Sequence, residues 1–165
     1  MNEALQRLSD RLDQVTRWVL VPIGIGFIVI VFLGVLTRYV FQAPIISSIE
    51  LARLGFVWAA FLGAAICFKG ERHTQFLFLL DRLRGRSKAG LKSGIDCLAV
   101  SLFIFLSWEG LQMVSAVSAT YFPALGWSQL WLYLPLPVAA LLMLVHGLAF
   151  LVRDIRLLAD LGGTR

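Results

Sequence analysis

The chain has 165 residues, 59% of them hydrophobic and only 15% charged, with a mean hydropathy of +0.81, whereas about half of a soluble domain is apolar. That excludes an ordinary soluble domain, and a small apolar bundle leaves little room for a separate catalytic one. The formal net charge of +5 could suggest nucleic acid, but the basic residues flank apolar blocks and come with no stacking platform or reader motif.

The charges divide the chain into four apolar blocks. The fold class they predict is an all-α membrane protein, one domain over 1–165, with four transmembrane helices at approximately 18–38, 48–68, 95–117 and 130–152 and a basic loop at 69–92. All of the Lys and Arg residues except Arg38 and Arg53 fall before the first block, between the second and third, or after the fourth. The positive-inside rule then puts the loop and both termini in the cytoplasm.

Leu5, Leu8, Leu12 and Val15 recur at helical spacing among Arg7, Asp10, Arg11 and Asp13. Such a helix either lies along the inner membrane surface or extends into solvent. Glu3, Asp10 and Asp13 precede the first block and no small-residue cleavage pattern follows it, so the first span is expected to be an uncleaved anchor. Trp18 and Tyr39 mark its two interfaces. Pro22 is expected in its first turn, where a missing amide is tolerated. Arg38 can snorkel at its far end, and Pro44 disfavours helix at Ala43, separating the first two spans.

The second block, Ser48 to Phe68, makes a helix about 31 Å long, enough to cross the hydrocarbon of a bilayer. Ser47-Ser48-Ile49-Glu50 fits a capping box, with Ser47 at the N-cap, Glu50 reaching back, and Ile46 and Leu51 as a hydrophobic staple. Arg53 lies one turn inside, where a charge is costly unless paired or snorkelling. Ala52, Gly55, Ala59 and Gly63 share one face, and Ala60 and Ala64 continue below Arg53. Small residues so spaced let another helix approach closely, which makes this side the expected docking or packing surface. Leu54, Trp58, Phe61 and Leu62 form the bulky side. In the loop that follows, Gln75 to Arg84 has the composition of an interfacial arm, and His73 reads as a surface residue.

The third span must include Glu109, because neither charge-free half is long enough to cross alone. Asp96 marks its inner end, and Glu109 lies about 20 Å beyond it, within reach of Arg53 or Arg38. A buried structural ion pair, a protonated carboxyl and a proton or cation relay all fit that placement. Ser101, Ser107, Ser115 and Ser118 can satisfy themselves on preceding carbonyls. Cys67 and Cys97 sit at cytoplasmic ends of spans and read as small buried residues rather than a disulfide or metal site. Tyr121, Phe122, Trp127, Trp131 and Tyr133 give the charge-free outer loop an aromatic belt or a docking face. Pro135 and Pro137 should kink or delay the fourth span. His146 has no second histidine inside a span, so paired haem ligation is not expected. Nothing points to a catalytic residue, a cofactor or a metal.

Arg38-Tyr39-Val40-Phe41-Gln42-Ala43-Pro44, then Glu50-Leu51-Ala52-Arg53, then Phe56-Val57-Trp58-Ala59-Ala60-Phe61-Leu62-Gly63-Ala64-Ala65 resemble the small membrane subunit of tripartite ATP-independent periplasmic (TRAP) transporters, as does His73 in the basic loop. Pro123-Ala124-Leu125-Gly126 followed by Trp131-Leu132-Tyr133-Leu134-Pro135-Leu136-Pro137-Val138 resembles that family's second motif more loosely. The resemblance implies a non-enzymatic inner-membrane subunit that scaffolds a large, elevator-type permease subunit carrying the sodium and substrate sites. It also implies membrane lipids around the pair, no nucleic acid, and a periplasmic binding protein that delivers an organic anion. The alternative is a self-sufficient ion or proton conductor built on Glu109 and Arg53. A haem or metal redox protein is a third reading, poorly served by the scattered Cys67, Cys97, His73 and His146.

Overall fold

The computed structural model describes residues 2–70 and 86–163, with side chains over 5–70 and 90–155; His73 and the Gln75–Arg84 arm lie outside them. The elements in order are α1 (Asn2–Tyr39), α2 (Ile46–Gly70), α3 (Arg86–Val117), a short α4 (Leu130–Tyr133) and α5 (Pro135–Gly163). Four stretches are long and apolar enough to cross a membrane: Leu5–Tyr39, Ile46–Gly70, Gly90–Val117 and Leu130–Ile155. α5 is the hub. α3 packs chiefly on it, and α1 and α2 pair with each other and with it.

α1 runs for 38 residues without a break, so Pro22 lies inside the helix, not in its first turn. A helix within a membrane tolerates the lost amide because neighbouring groups re-satisfy the freed carbonyl. The amphipathic start of α1 is therefore a helical extension of the first span, with Gln6, Arg7, Asp10, Arg11 and Gln14 exposed. One side of it is tied to the bundle: Ser9 and Thr16 are buried, and Thr16 Oγ1 donates to the Leu12 carbonyl at 2.7 Å.

Polar groups join the helices at the end holding the chain termini. Ser9 Oγ lies 2.7 Å from Nδ1 of the buried His146, linking α1 to α5. Lys69 of α2 donates to the Ser9 carbonyl at 3.0 Å and to Asp10 Oδ1 at 2.8 Å, linking α2 to α1. Lys92 of α3 lies 3.1 Å from Oδ2 of the buried Asp154, which Arg153 approaches at 3.4 Å, linking α3 to α5. These directional contacts tie three helix pairs, with the Lys69–Asp10 pair contributing least because Asp10 is 72% exposed. Just above, Phe68 stands edge-on to Phe103 at 4.9 Å and tilted against Phe150 at 6.2 Å.

Close approach of α3 and α5 rests on two glycines. A Cβ on Gly110 would lie 3.0 Å from Pro137 Cδ and 3.2 Å from its nitrogen, and one on Gly147 would lie 3.2 Å from Val100 Cγ2. Pro135 and Pro137 are themselves fully buried. The prolines set a joint between α4 and α5 at Leu134, bridged by bonds from Leu134 N to the Leu130 carbonyl (2.9 Å) and from Val138 N to the Leu134 carbonyl (3.2 Å). Gly110→Val forces α3 off a backbone atom that cannot yield, and overpacking of this kind costs about 1–3 kcal/mol. The expected result is a lower unfolding temperature in detergent.

The serines behave as the sequence suggests: Ser101, Ser107, Ser115 and Ser118 each donate to a carbonyl three or four residues earlier, at 2.6–2.8 Å. The cysteines do not, since Cys67 and Cys97 are both exposed. Each lies on the side of its helix turned away from the bundle, and neither faces the core that its size and apolarity would suit.

Candidate functional site

α2 presents three sides, each with a different neighbour. The first is the small-residue side, which meets α1: a Cβ on Gly55 would touch Phe27 Cβ at 3.2 Å and Cα at 3.6 Å, and Phe27 and Phe56 lie 5.9 Å apart. At Gly55 the close approach is therefore made by a helix of the same chain. Gly63, further along, has nothing within 4 Å of an added Cβ, and Ala59 is half-buried. The second is the bulky side, where Leu62 is buried and Trp58 Nε1 donates to the Trp131 carbonyl at 2.9 Å. The third side carries Ile46, Ile49, Arg53, Phe56, Ala60, Ala64 and Cys67, and all seven are exposed. It runs the length of the helix exposed, with Phe56 at its border reaching Phe27 of α1.

Glu50 does not reach back to cap its own helix. α2 begins at Ile46, so Ser47 already lies within the first turn, and the hydroxyl and amide of Ser48 donate to the Ile45 carbonyl at 2.6 and 3.1 Å. The Glu50 carboxylate turns to the loop before α4. It accepts from Ala124 N at 3.1 and 3.2 Å and from Leu125 N at 2.8 Å. Those amides open a single helical turn that Gly126 N closes on the Phe122 carbonyl at 2.9 Å, with Gly126 itself left-handed at φ 67. Pro123 has no N–H, so the turn offers two free donors and Glu50 takes both. Phe122 N then donates to the Trp127 carbonyl at 2.8 Å and Gln129 N to the Thr120 carbonyl at 2.7 Å, with Ser128 Oγ on the Ser118 carbonyl at 2.8 Å. The loop is a closed structure with Phe122 buried beneath it and Trp127 and Trp131 exposed.

The remaining charges stand apart. Arg53 on α2 and Glu109 on α3 are exposed, and among the described residues no hydrogen bond or ion pair reaches either. Glu109 follows Ser107 on a helix whose buried side is Asp96, Val100, Phe103, Ser107 and Gly110, and it points away from that side. Arg38 ends α1 with its guanidinium 5.8 Å from the Tyr39 ring. Trp18 and Tyr39 are 74% and 72% exposed, placing bare rings near either end of the apolar part of α1. No group of three or more His, Cys, Asp or Glu side chains able to hold a metal occurs among the described residues.

What this arrangement offers is surface: a long exposed helix face, two charges within spans that pair with nothing among the described residues, and a latched aromatic loop. A family model, tripartite ATP-independent periplasmic transporters, DctQ component, matches residues 27–157. Among relatives, a sialic acid TRAP transporter permease protein of Haemophilus influenzae is 27% identical over 81% of this chain and 22% of its own length. A putative TRAP transporter small permease protein of the same species is 34% identical over 52% of this chain and 55% of its own. A sialic acid TRAP transporter small permease protein of Vibrio cholerae is 24% identical over 93% of this chain and 89% of its own. The chain thus spans about a fifth and about half of the length of the first two relatives. It belongs to the DctQ-component family of TRAP transporters, as a small permease subunit that crosses the bacterial inner membrane several times.

Proposed function

We propose that this subunit is the static scaffold of a sodium-coupled importer, holding a large permease subunit that moves as an elevator and carries the sodium and substrate sites. The observation that carries the reading is the uncovered side of α2, with Arg53 set in an otherwise apolar stripe. A lone charge on a lipid-facing helix is costly, and it is retained where a partner covers it. The Haemophilus permease supports the same conclusion, because the matching stretch is about a fifth of that longer protein and so works there joined to a larger body. Transporter ion sites usually use helices broken near mid-membrane, whereas among the described residues α1, α2 and α3 run unbroken and the joint at Leu134 lies near the end of its span.

Positive charge at the end holding the termini favours a cytoplasmic position for it, which leaves the latched loop facing the periplasm. A periplasmic binding protein would deliver its cargo there. Relatives named for sialic acid favour an organic anion such as a sugar acid. The test is reconstitution of the chain alone, the large permease alone, and the pair with binding protein, under an inward sodium gradient with labelled sialic acid and a labelled dicarboxylate. Uptake should need the pair, and the tagged chain should retain the permease through purification. Flux through vesicles holding this chain alone, abolished by Glu109→Gln, would replace the scaffold with a self-sufficient conductor.

A further inference from the structure

Where α1 and α2 part near their loop-side ends they leave a groove of about 570 Å³, within the usual range of ligand pockets, about 300–1,000 Å³. Val31 and Val35 wall one side, and Ile45, Ile49 and Ala52 wall the other. Gly34 and Ser48 also line it and bring the two helices together, a Cβ on Gly34 lying 3.2 Å from Ser48 Oγ. The polar groups along it are mostly spent: Ser48 Oγ donates to the Ile45 carbonyl and Thr37 Oγ1 to the Gly34 carbonyl. Arg38 and Tyr39 also line it. Both are exposed, and among the described residues no acid pairs with Arg38.

We propose that this groove is a phospholipid site, with an acyl chain lying between α1 and α2 and the phosphate held by Arg38. The groove opens on the side of helices that cross the membrane, and Arg38 follows the last apolar turn of α1, where headgroups lie. Its guanidinium, which no acid among the described residues approaches, has the forked donor geometry that suits phosphate oxygens. The Tyr39 ring, 5.8 Å from that guanidinium, also lines the groove. A soluble anion would leave the apolar slot unused, and an apolar helix would leave Arg38 without a counter-charge. A phospholipid matches both parts at once. This assignment does not depend on the scaffold reading, because it uses contacts of this chain only.

The experiment is native mass spectrometry of the full chain, delipidated in detergent and then offered phosphatidylglycerol or diacylglycerol. Phosphatidylglycerol should remain bound as a discrete adduct while diacylglycerol is lost. Arg38→Gln should reduce the adduct about tenfold, with Arg38→Lys falling less. Ala52→Phe, which fills the slot and leaves the arginine in place, should reduce it as well. Equal retention of diacylglycerol would overturn the proposal without any variant, as would an adduct unchanged in Arg38→Gln. Full competition by glycerol 3-phosphate would show an anion site that ignores the groove, and loss of the lipid when the large permease binds would make that partner the occupant. Either result also overturns the proposal.

Discussion

Glu50→Ala should release the loop between α3 and α4 while leaving α2 intact. The carboxylate serves two amides 74 and 75 residues away, and Pro123 leaves that turn no third donor. Hydrogen bonds to a charged group are each worth about 1.5–3 kcal/mol, and Glu50 is only partly buried, so a total loss of about 2–4 kcal/mol is expected. Amide exchange at Ala124 and Leu125 should accelerate about thirtyfold to a thousandfold, since opening the loop no longer breaks those bonds. Glu50→Gln keeps one carbonyl acceptor and should fall between the two, whereas Glu50→Asp is a methylene short and should resemble Ala. If Glu50 instead capped its own helix, exchange would rise at the first turn of α2 and the loop amides would stay protected. With the loop loose, Trp127 and Trp131 lose their fixed placement, so uptake by the assembled transporter should fall even where the complex stays whole.

The four spans and their charged flanks were legible because hydropathy and charge report directly on the bilayer, which acts on each residue separately. Glu50 shows where that kind of reading stops. A capping box is a local pattern and the sequence contains it, but the carboxylate's actual partners are backbone amides, which have no side-chain signature. The only trace of them is the Pro123 and Gly126 spacing of a tight turn. Gly55 shows a second limit. A small-residue face says that a helix comes close but not whose helix it is, and Phe27 gave no sign of being the neighbour. Gly110 and Gly147 make a crossing as close or closer and leave no pattern in the sequence, because single glycines on two different helices form no repeat. Ser9 and His146 lie 137 residues apart, and neither has meaning until the start of α1 is known to lie against α5.

The division of α2 into three sides leads to the other large effect. Ala60 and Ala64 lie four residues apart on the uncovered side, below Arg53, whereas Gly55 is pressed on Phe27. Leu at position 55 must therefore separate α1 from α2, at about 1–3 kcal/mol or more for an overpacked contact, and the chain should lose thermal stability before any partner is added. Ala60 and Ala64 are both exposed, so with Phe at both positions the isolated subunit should unfold at nearly its original temperature. If the large permease covers this side, two phenyl rings hold its helix away from a surface that small residues had kept flat, and packing is a main force that joins helices in lipid. Co-purification of the permease should then fall at least about tenfold, equivalent to about 1.4 kcal/mol, with uptake falling in parallel. Arg53→Gln, which preserves the shape of that side but removes its charge, should weaken the pair by less than the double substitution and without changing subunit stability. A permease retained in full by Ala60→Phe with Ala64→Phe would remove α2 from the interface and direct attention to the exposed face of α3, where Glu109 is the charge still in need of cover.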